Sequence, residues 1–190
     1  MCSHIITAED RDCCINIVWC ICRHQSTIRR FWPVCQAAVY TVYNMGKASR
    51  AIIFENGKML VMQRNKYGSR YFTLVGGSAF DNETMEQALV REIREETGME
   101  VIRATLVFIE EHPAPYNEQY IYVCEVAPHG AVAVQHTSEE GYMNSLDANV
   151  HTPMWIEMHS FAALDFRTPQ LQKAILKSLK HGFPTKPLKL

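Results

Sequence analysis

The regular alternation of apolar and polar positions begins near residue 48, and its first signals are strands. Ala48 to Glu55 (ASRAIIFE) and Lys58 to Arg64 (KMLVMQR) are apolar-rich runs separated by Asn56-Gly57. That pair tolerates positive φ at both central positions of a type I′ turn, so the two runs predict a β-hairpin. Tyr71 to Val75 (YFTLV) reads as a third, short strand leading into Gly76-Gly77. The period then changes. Thr84 followed three residues later by Gln87 has the form of a capping box, Leu89 and Ile93 lie on one stripe, and Gly98 supplies a stop, which predicts a helix over Met85 to Thr97. Val101 to Ile109 and Gln119 to Val126 return to strand patterning, and Met154 to Glu157 reads as a short strand. A last helix is expected to start with Thr168 as N-cap and Pro169 at its first position, and to end at Gly182. Its stripe of Leu171, Ala174, Ile175, Ser178 and Leu179 should pack on a sheet. Strands before, between and after two helices predict an α/β layered domain.

The first 44 residues carry no such periodicity. They hold six of the seven cysteines, and Met45-Gly46-Lys47 reads as a natural start just before the first strand. The expected organisation is therefore an extension over residues 1–44, disordered or a non-native start, a domain over 45–182, and a C-terminal tail over 183–190. Cys20-Ile21-Cys22-Arg23-His24 lacks the second ligand pair that a zinc site needs. The apolar run Cys13 to Cys22 is shorter than the roughly 20 residues that cross a bilayer. It follows an acidic stretch with no cleavage pattern after it, so neither a membrane nor a signal peptide is expected, and a cytoplasmic location is. A net charge of -1 provides no basic field for duplex nucleic acid. Homodimerisation stays open.

Candidate chemistry concentrates in GGSAFDNETMEQALVREIREETGM, Gly76 to Met99. At about 100° per residue, Glu92, Glu95 and Glu96 share roughly a third of the helix circumference, where like charges repel by a few tenths of a kcal/mol per pair. Arg91 and Glu95 form a favourable i,i+4 pair, but neither Arg91 nor Arg94 is expected to serve the Glu92/Glu96 edge well. Two readings stand on geometry alone. One is a solvated glutamate face, and the other is a site for a hard divalent cation, which takes carboxylate oxygens and shares its remaining positions with water and phosphate. Glu86 reads as solvated, and Glu110 and Glu111 as ordinary edge or ligand-shell residues.

From Gly77 the sequence runs Gly, five residues, Glu83, seven residues, Arg91-Glu92-Ile93-Arg94-Glu95-Glu96, one residue, Gly98-Met99. This resembles the complete Nudix box. The resemblance, which extends more loosely over Ala48 to Lys180, implies a Nudix-type α/β/α sandwich with a mixed β-sheet and a loop-helix-loop box. It also implies Mg²⁺-dependent cleavage, with Mn²⁺ as a substitute, of a nucleoside diphosphate linked to another group, and hence a small nucleotide-type substrate as partner. Carried over, Glu92, Glu95 and Glu96 would be metal ligands together with the Gly77 carbonyl, and Glu83 and Arg91 would form the ion pair that locks loop to helix. Glu95 and Glu92 carry the expected catalysis. Glu95 is favoured as general base, with Glu139 and Glu140 as candidates outside the box. Val75, Phe80 and Asn82 stand where relatives often have Pro, Glu and Gly; none is a defining box position. Phe80 removes a carboxylate from the neighbourhood of the metal.

Substrate choice is set outside the box. Arg64 and Lys66 could meet phosphate or ribose, or be solvated strand ends, and Tyr116, Tyr120 and Tyr122 could stack a base or pack in a strand. Nothing in the sequence separates ADP-ribose, nucleotide sugars, dinucleoside polyphosphates and oxidised nucleoside triphosphates. A non-catalytic nucleotide sensor is the alternative from another class.

Overall fold

The computed structural model describes residues 46–112, 117–147 and 149–190. The proposed extension over 1–44, and Tyr116, lie outside the described residues. Three strands come first: β1 (Lys47–Glu55), β2 (Lys58–Lys66) and β3 (Ser69–Thr73). Helix α1 (Met85–Thr97) follows, then β4 (Val101–Glu111) and β5 (Glu118–Val126). The chain continues through α2 (Glu139–Ser145), β6 (Asn149–Glu157), a 3-10 turn (Met158–Ala163), α3 (Pro169–His181) and β7 (Leu188–Lys189). Among the described residues no helix is long and apolar enough to cross a membrane.

The sheet is mixed, ordered β3-β2-β1-β5-β4-β7, with β6 on the other side of β2. β1 runs parallel to β5, whereas β2 is antiparallel to β1, β3 and β6. Alternation along the strands divides the core into two layers. On one face Ile52, Val61, Phe108 and Ile121 pack with Phe161 and with Leu171 and Ile175 of α3. On the other, Ala51, Ile53, Leu60 and Tyr122 pack with Leu89 and Ile93 of α1. The layers are therefore the expected α/β/α sandwich.

Several local signals act as read. Asn56 and Gly57 take φ of 49° and 78°. At α1, the Gln87 N–H donates to Thr84 Oγ1 at 3.2 Å and the Thr84 N–H to Gln87 Oε1 at 2.8 Å, while Gly98, at φ 76°, closes the helix with its N–H on the Arg94 carbonyl. Thr168 holds the N-cap position of α3 but makes no side-chain cap bond. Residues 183–190, expected as a C-terminal tail, include β7, which pairs in parallel with β4 at Phe108 and Ile109, and Leu190 packs against the core.

Candidate functional site

β1 and β2 share only two register pairs, Phe54 with Met59 and Glu55 with Lys58, beside their turn, and then part. Residues 75–78 run along β1 beyond that point, with the Ala51 N–H donating to the Val75 carbonyl at 2.9 Å and the Ser49 N–H to the Gly77 carbonyl at 2.9 Å. Two glycines make this approach feasible. A Cβ on Gly76 would stand 2.2 Å from the Ser49 carbonyl oxygen, and one on Gly77 would stand 2.5 Å from the Glu92 carboxyl carbon. Ser49 also donates its hydroxyl to the Met85 carbonyl at 2.6 Å, fixing the start of α1 to β1. The glycine turn and the glutamate helix thus meet against one strand.

Arg91 organises the acidic face. Its Nε and Nη2 donate to the two Glu83 oxygens at 2.7 and 2.9 Å, Nη2 also to the Ser78 carbonyl at 2.9 Å, and Nη1 to Glu92 Oε1 at 2.9 Å and Glu95 Oε2 at 3.2 Å. The expected loop-to-helix pair is present. Arg91 nevertheless reaches further than the helical wheel suggested, because its long side chain lies along the helix surface and serves Glu92 as well as Glu95. Phe80, at the position that lost a carboxylate, lays its ring 4.1 Å from the guanidinium carbon of Arg91, so it covers the pair. The Arg91 hydrogen bonds hold the Glu83 carboxyl below its usual range.

Oxygens of Glu92, Glu95 and Glu140 all lie within 4.8 Å of one another. Glu92 is 5% exposed, and its Oε2 is buried without a hydrogen-bond partner. Burial, then the charge of Glu140, pushes the Glu92 carboxyl up to about 7 against the pull of Arg91. Glu96, 2% exposed, lies well above the carboxylate range because of burial and then repulsion from Glu92 and Glu140; its Oε2 accepts the Gly76 N–H at 2.5 Å. An orphaned carboxylate oxygen, three converging carboxylates, the Glu92 and Glu96 carboxyls raised by burial and then by neighbouring charge, and a glycine cradle with no room for a methyl group fit a divalent cation better than a solvated face.

Glu140 arrives on α2, and the sequence alone gave no hint of how. The Gln135 N–H donates to the Glu95 carbonyl at 2.7 Å, tying the approach segment to α1. Ser138 caps α2 by accepting the Gly141 N–H at 3.0 Å. Asn144 then clamps the helix to β6, its Nδ2 donating to the His151 carbonyl at 2.8 Å and its Oδ1 accepting the His151 N–H at 2.6 Å. Asn144→Ala should leave both backbone groups of His151 unpaired, cost about 1–3 kcal/mol, and speed hydrogen exchange in residues 139–145 ahead of the rest of the domain. Unchanged exchange there would show that the clamp does not hold α2.

The remaining candidates divide. The Gly77 carbonyl, a ligand by the resemblance, accepts the Ser49 N–H with one of its two lone pairs; the preceding carbonyl, that of Gly76, is met by a cation, Nη1 of Arg50. Arg64 is on the α1 face with Nη2 at 3.3 Å from Asn149 Oδ1 and Nε buried without a partner. Glu139 sits one residue before Glu140 but outside the carboxylate trio. Glu86 is not simply solvated, since it accepts the Tyr122 hydroxyl at 3.2 Å, and Tyr122, 2% exposed, is a core residue rather than a stacking platform. Tyr120 spends its hydroxyl on Glu118 at 2.9 Å. Glu110, read as an edge or ligand-shell residue, is 4% exposed and pairs with His112 at 3.0 Å.

The family model described as the NUDIX domain matches residues 45–177. This mixed-sheet sandwich, with an acidic box helix set against a glycine turn, belongs to the Nudix family. Among individual proteins, the chain is 23% identical over 108 residues to the NAD-capped RNA hydrolase NudC of Pectobacterium carotovorum subsp. carotovorum (strain PC1), covering 57% of this chain and 37% of that protein. It is 34% identical over 70 residues to an 8-oxo-dGTP diphosphatase of Proteus vulgaris, covering 36% of this chain and 62% of that one. The similarity thus spans less than two thirds of either relative. Among solved structures, a NUDIX hydrolase from Nitrosomonas europaea superposes with a TM-score of 0.57 at 17% identity over 77% of this chain and 80% of its own. An ADP compounds hydrolase gives 0.54 at 15% identity, over 71% of this chain and 73% of its own. At these identities the structures speak for the fold.

Proposed function

We propose that this chain is a Mg²⁺-dependent hydrolase, with Mn²⁺ as a substitute, that cleaves the phosphoanhydride of a nucleoside diphosphate linked to another group. The observation that carries this is the convergence of Glu92, Glu95 and Glu140 oxygens within 4.8 Å of one another, together with the unpartnered Glu92 Oε2. Glu92, Glu95, Glu96 and Glu140 would hold the cation. When bound, it supplies neutralisation of diphosphate charge and acidification of water. The rest falls to the chain. Gly76 and Gly77 let backbone and diphosphate approach without side-chain obstruction. Arg64, with its free Nε, takes a phosphate or ribose oxygen. Glu95 or Glu140 accepts the proton of the attacking water, and Arg91 keeps Glu95 oriented for that task. The activities named for the two sequence relatives, on NAD-capped RNA and 8-oxo-dGTP, both involve nucleotides, which supports a nucleotide-type substrate.

The test is phosphate-product release from ADP-ribose, nucleotide sugars, dinucleoside polyphosphates and nucleoside triphosphates, with and without Mg²⁺, for wild type, Glu95→Gln, Glu139→Gln and Glu140→Gln. Mg²⁺-dependent turnover is expected on one class. Glu140→Gln should cost at least about tenfold, and Glu139→Gln much less. The variant lacking the base should also lose the acid limb of the pH–rate profile. A folded protein that binds a nucleotide yet turns over none of the panel would overturn the hydrolase in favour of a sensor.

A further inference from the structure

Alternation along β1 sends Ala51 and Ile53 to the α1 layer and Ile52 to the α3 layer, so Arg50 lies on the sheet face opposite the acidic helix. There its Nε donates to Gln119 Oε1 at 3.1 Å. Gln119 Nε2 lies 3.1 Å from His112 Nε2, which in turn is 3.0 Å from the buried Glu110. From this anchored position Nη1 of Arg50 donates to the Gly76 carbonyl, while the Gly76 N–H donates to Glu96 Oε2 at 2.5 Å. One glycine is thus gripped by a guanidinium from one face of the sheet and a carboxylate from the other. The neighbouring Gly77 lies against Glu92 so closely that a methyl group would collide with the carboxyl.

We propose that Arg50 is a positioning residue: held by Gln119, it fixes the Gly76 carbonyl and so the Gly76–Gly77 backbone against which Glu92 and Glu96 are set, making cation uptake depend on a side chain from the opposite layer. The inference rests on the cation-dependent reading of the site above. One feature of arginine suits the task. Its planar fork can serve Gln119 and Gly76 at once, which an ammonium on a flexible stem does not reproduce.

The sign of one measurement separates positioning from plain electrostatics. A guanidinium that acted only as a nearby positive charge would oppose cation uptake, so its removal would tighten binding. A guanidinium that positions the backbone would, on removal, weaken it. Mn²⁺ affinity of the substrate-free protein, read by electron paramagnetic resonance, should fall about 10- to 100-fold in Arg50→Lys and Arg50→Gln, the range usual for residues that orient ligands, and several-fold in Gln119→Ala, which keeps the charge but loses its anchor. Steady-state kinetics should show kcat falling in the same order. Circular dichroism checks each fold; if Arg50→Gln fails to fold, Arg50→Lys and Gln119→Ala carry the test. Wild-type or tighter Mn²⁺ binding in Arg50→Lys and Gln119→Ala, beside a Glu92→Gln variant that loses Mn²⁺, overturns the inference alone. So does a rise confined to KM, which would make Arg50 a direct substrate contact. A wild type that takes up no Mn²⁺ overturns the metal reading and this inference with it.

Discussion

A Glu92→Gln chain is expected to fold, to lose about 10²- to 10³-fold in cation-dependent turnover, and, in the presence of chelator, to unfold at a higher temperature than wild type at pH 8 but not at pH 5. The loss of turnover follows from removing charge at the centre of the trio. The fold should persist because glutamine has the same shape and Arg91 keeps its bonds to Glu83 and Glu95. The stability gain follows from linkage. Burial pushes the Glu92 carboxyl from its ordinary 4.5 up to about 7, so the native state binds this proton more tightly than the unfolded chain does. A carboxyl raised in this way contributes no cost below pH 4.5. As pH climbs through about 7 it must ionise in a poor environment, at a cost on the order of a few kcal/mol or several degrees in Tm. Glutamine abolishes that cost. His151 works in the opposite direction, since burial and then Arg64 push it down to about 3, and it withdraws stability as pH falls from 6.5. That contribution is common to both chains and cancels in the difference of their Tm values. Parallel Tm curves from pH 5 to pH 8 would refute the linkage, and wild-type turnover would refute the metal site.

How much of this was legible in the sequence depended on whether the deciding interaction was local. The limits of α1 follow from Thr84, Gln87 and Gly98, whose bonds stay within the helix ends. The β1–β2 turn follows from Asn56-Gly57 in the same way. The β2–β3 turn was missed because Tyr67, at φ 50°, is an unusual occupant of a left-handed position beside Gly68. β6 runs over nine residues instead of the four at its apolar end, since Asn149, His151, Thr152 and Pro153 conceal a strand that, among the described residues, pairs only with β2; proline is tolerated on such an edge. The box carboxylates were visible from spacing. What spacing could not show was which carbonyl of the glycine pair faces which strand, that Arg50 reaches that pair from the opposite layer, or that α2 swings Glu140, rather than Glu139, onto Glu92 and Glu95. Each of these needs strand register, which joins residues far apart in the chain.

The same register makes Gly76→Ala a severely damaging substitution. Gly76 has φ of 120°, a conformation costly for any residue with a Cβ, and the new methyl group would lie 2.2 Å from the Ser49 carbonyl oxygen and 3.0 Å from the Arg50 Cα. Both obstacles are backbone of a central strand. The segment cannot retreat from them, because the bonds from Ala51 to Val75 and from Ser49 to Gly77 pin it on either side. A loss of about 3–5 kcal/mol is expected, seen as a lower midpoint in urea. Gly77→Ala should behave differently. Its methyl group meets the carboxylate end of Glu92, a side chain that can turn away, so the domain should keep most of its stability while Mn²⁺ affinity falls with the displaced ligand. If Gly76→Ala unfolded at the wild-type midpoint, or if Gly77→Ala bound Mn²⁺ normally, the close contact between the glycine turn, β1 and Glu92 would not be what shapes the site.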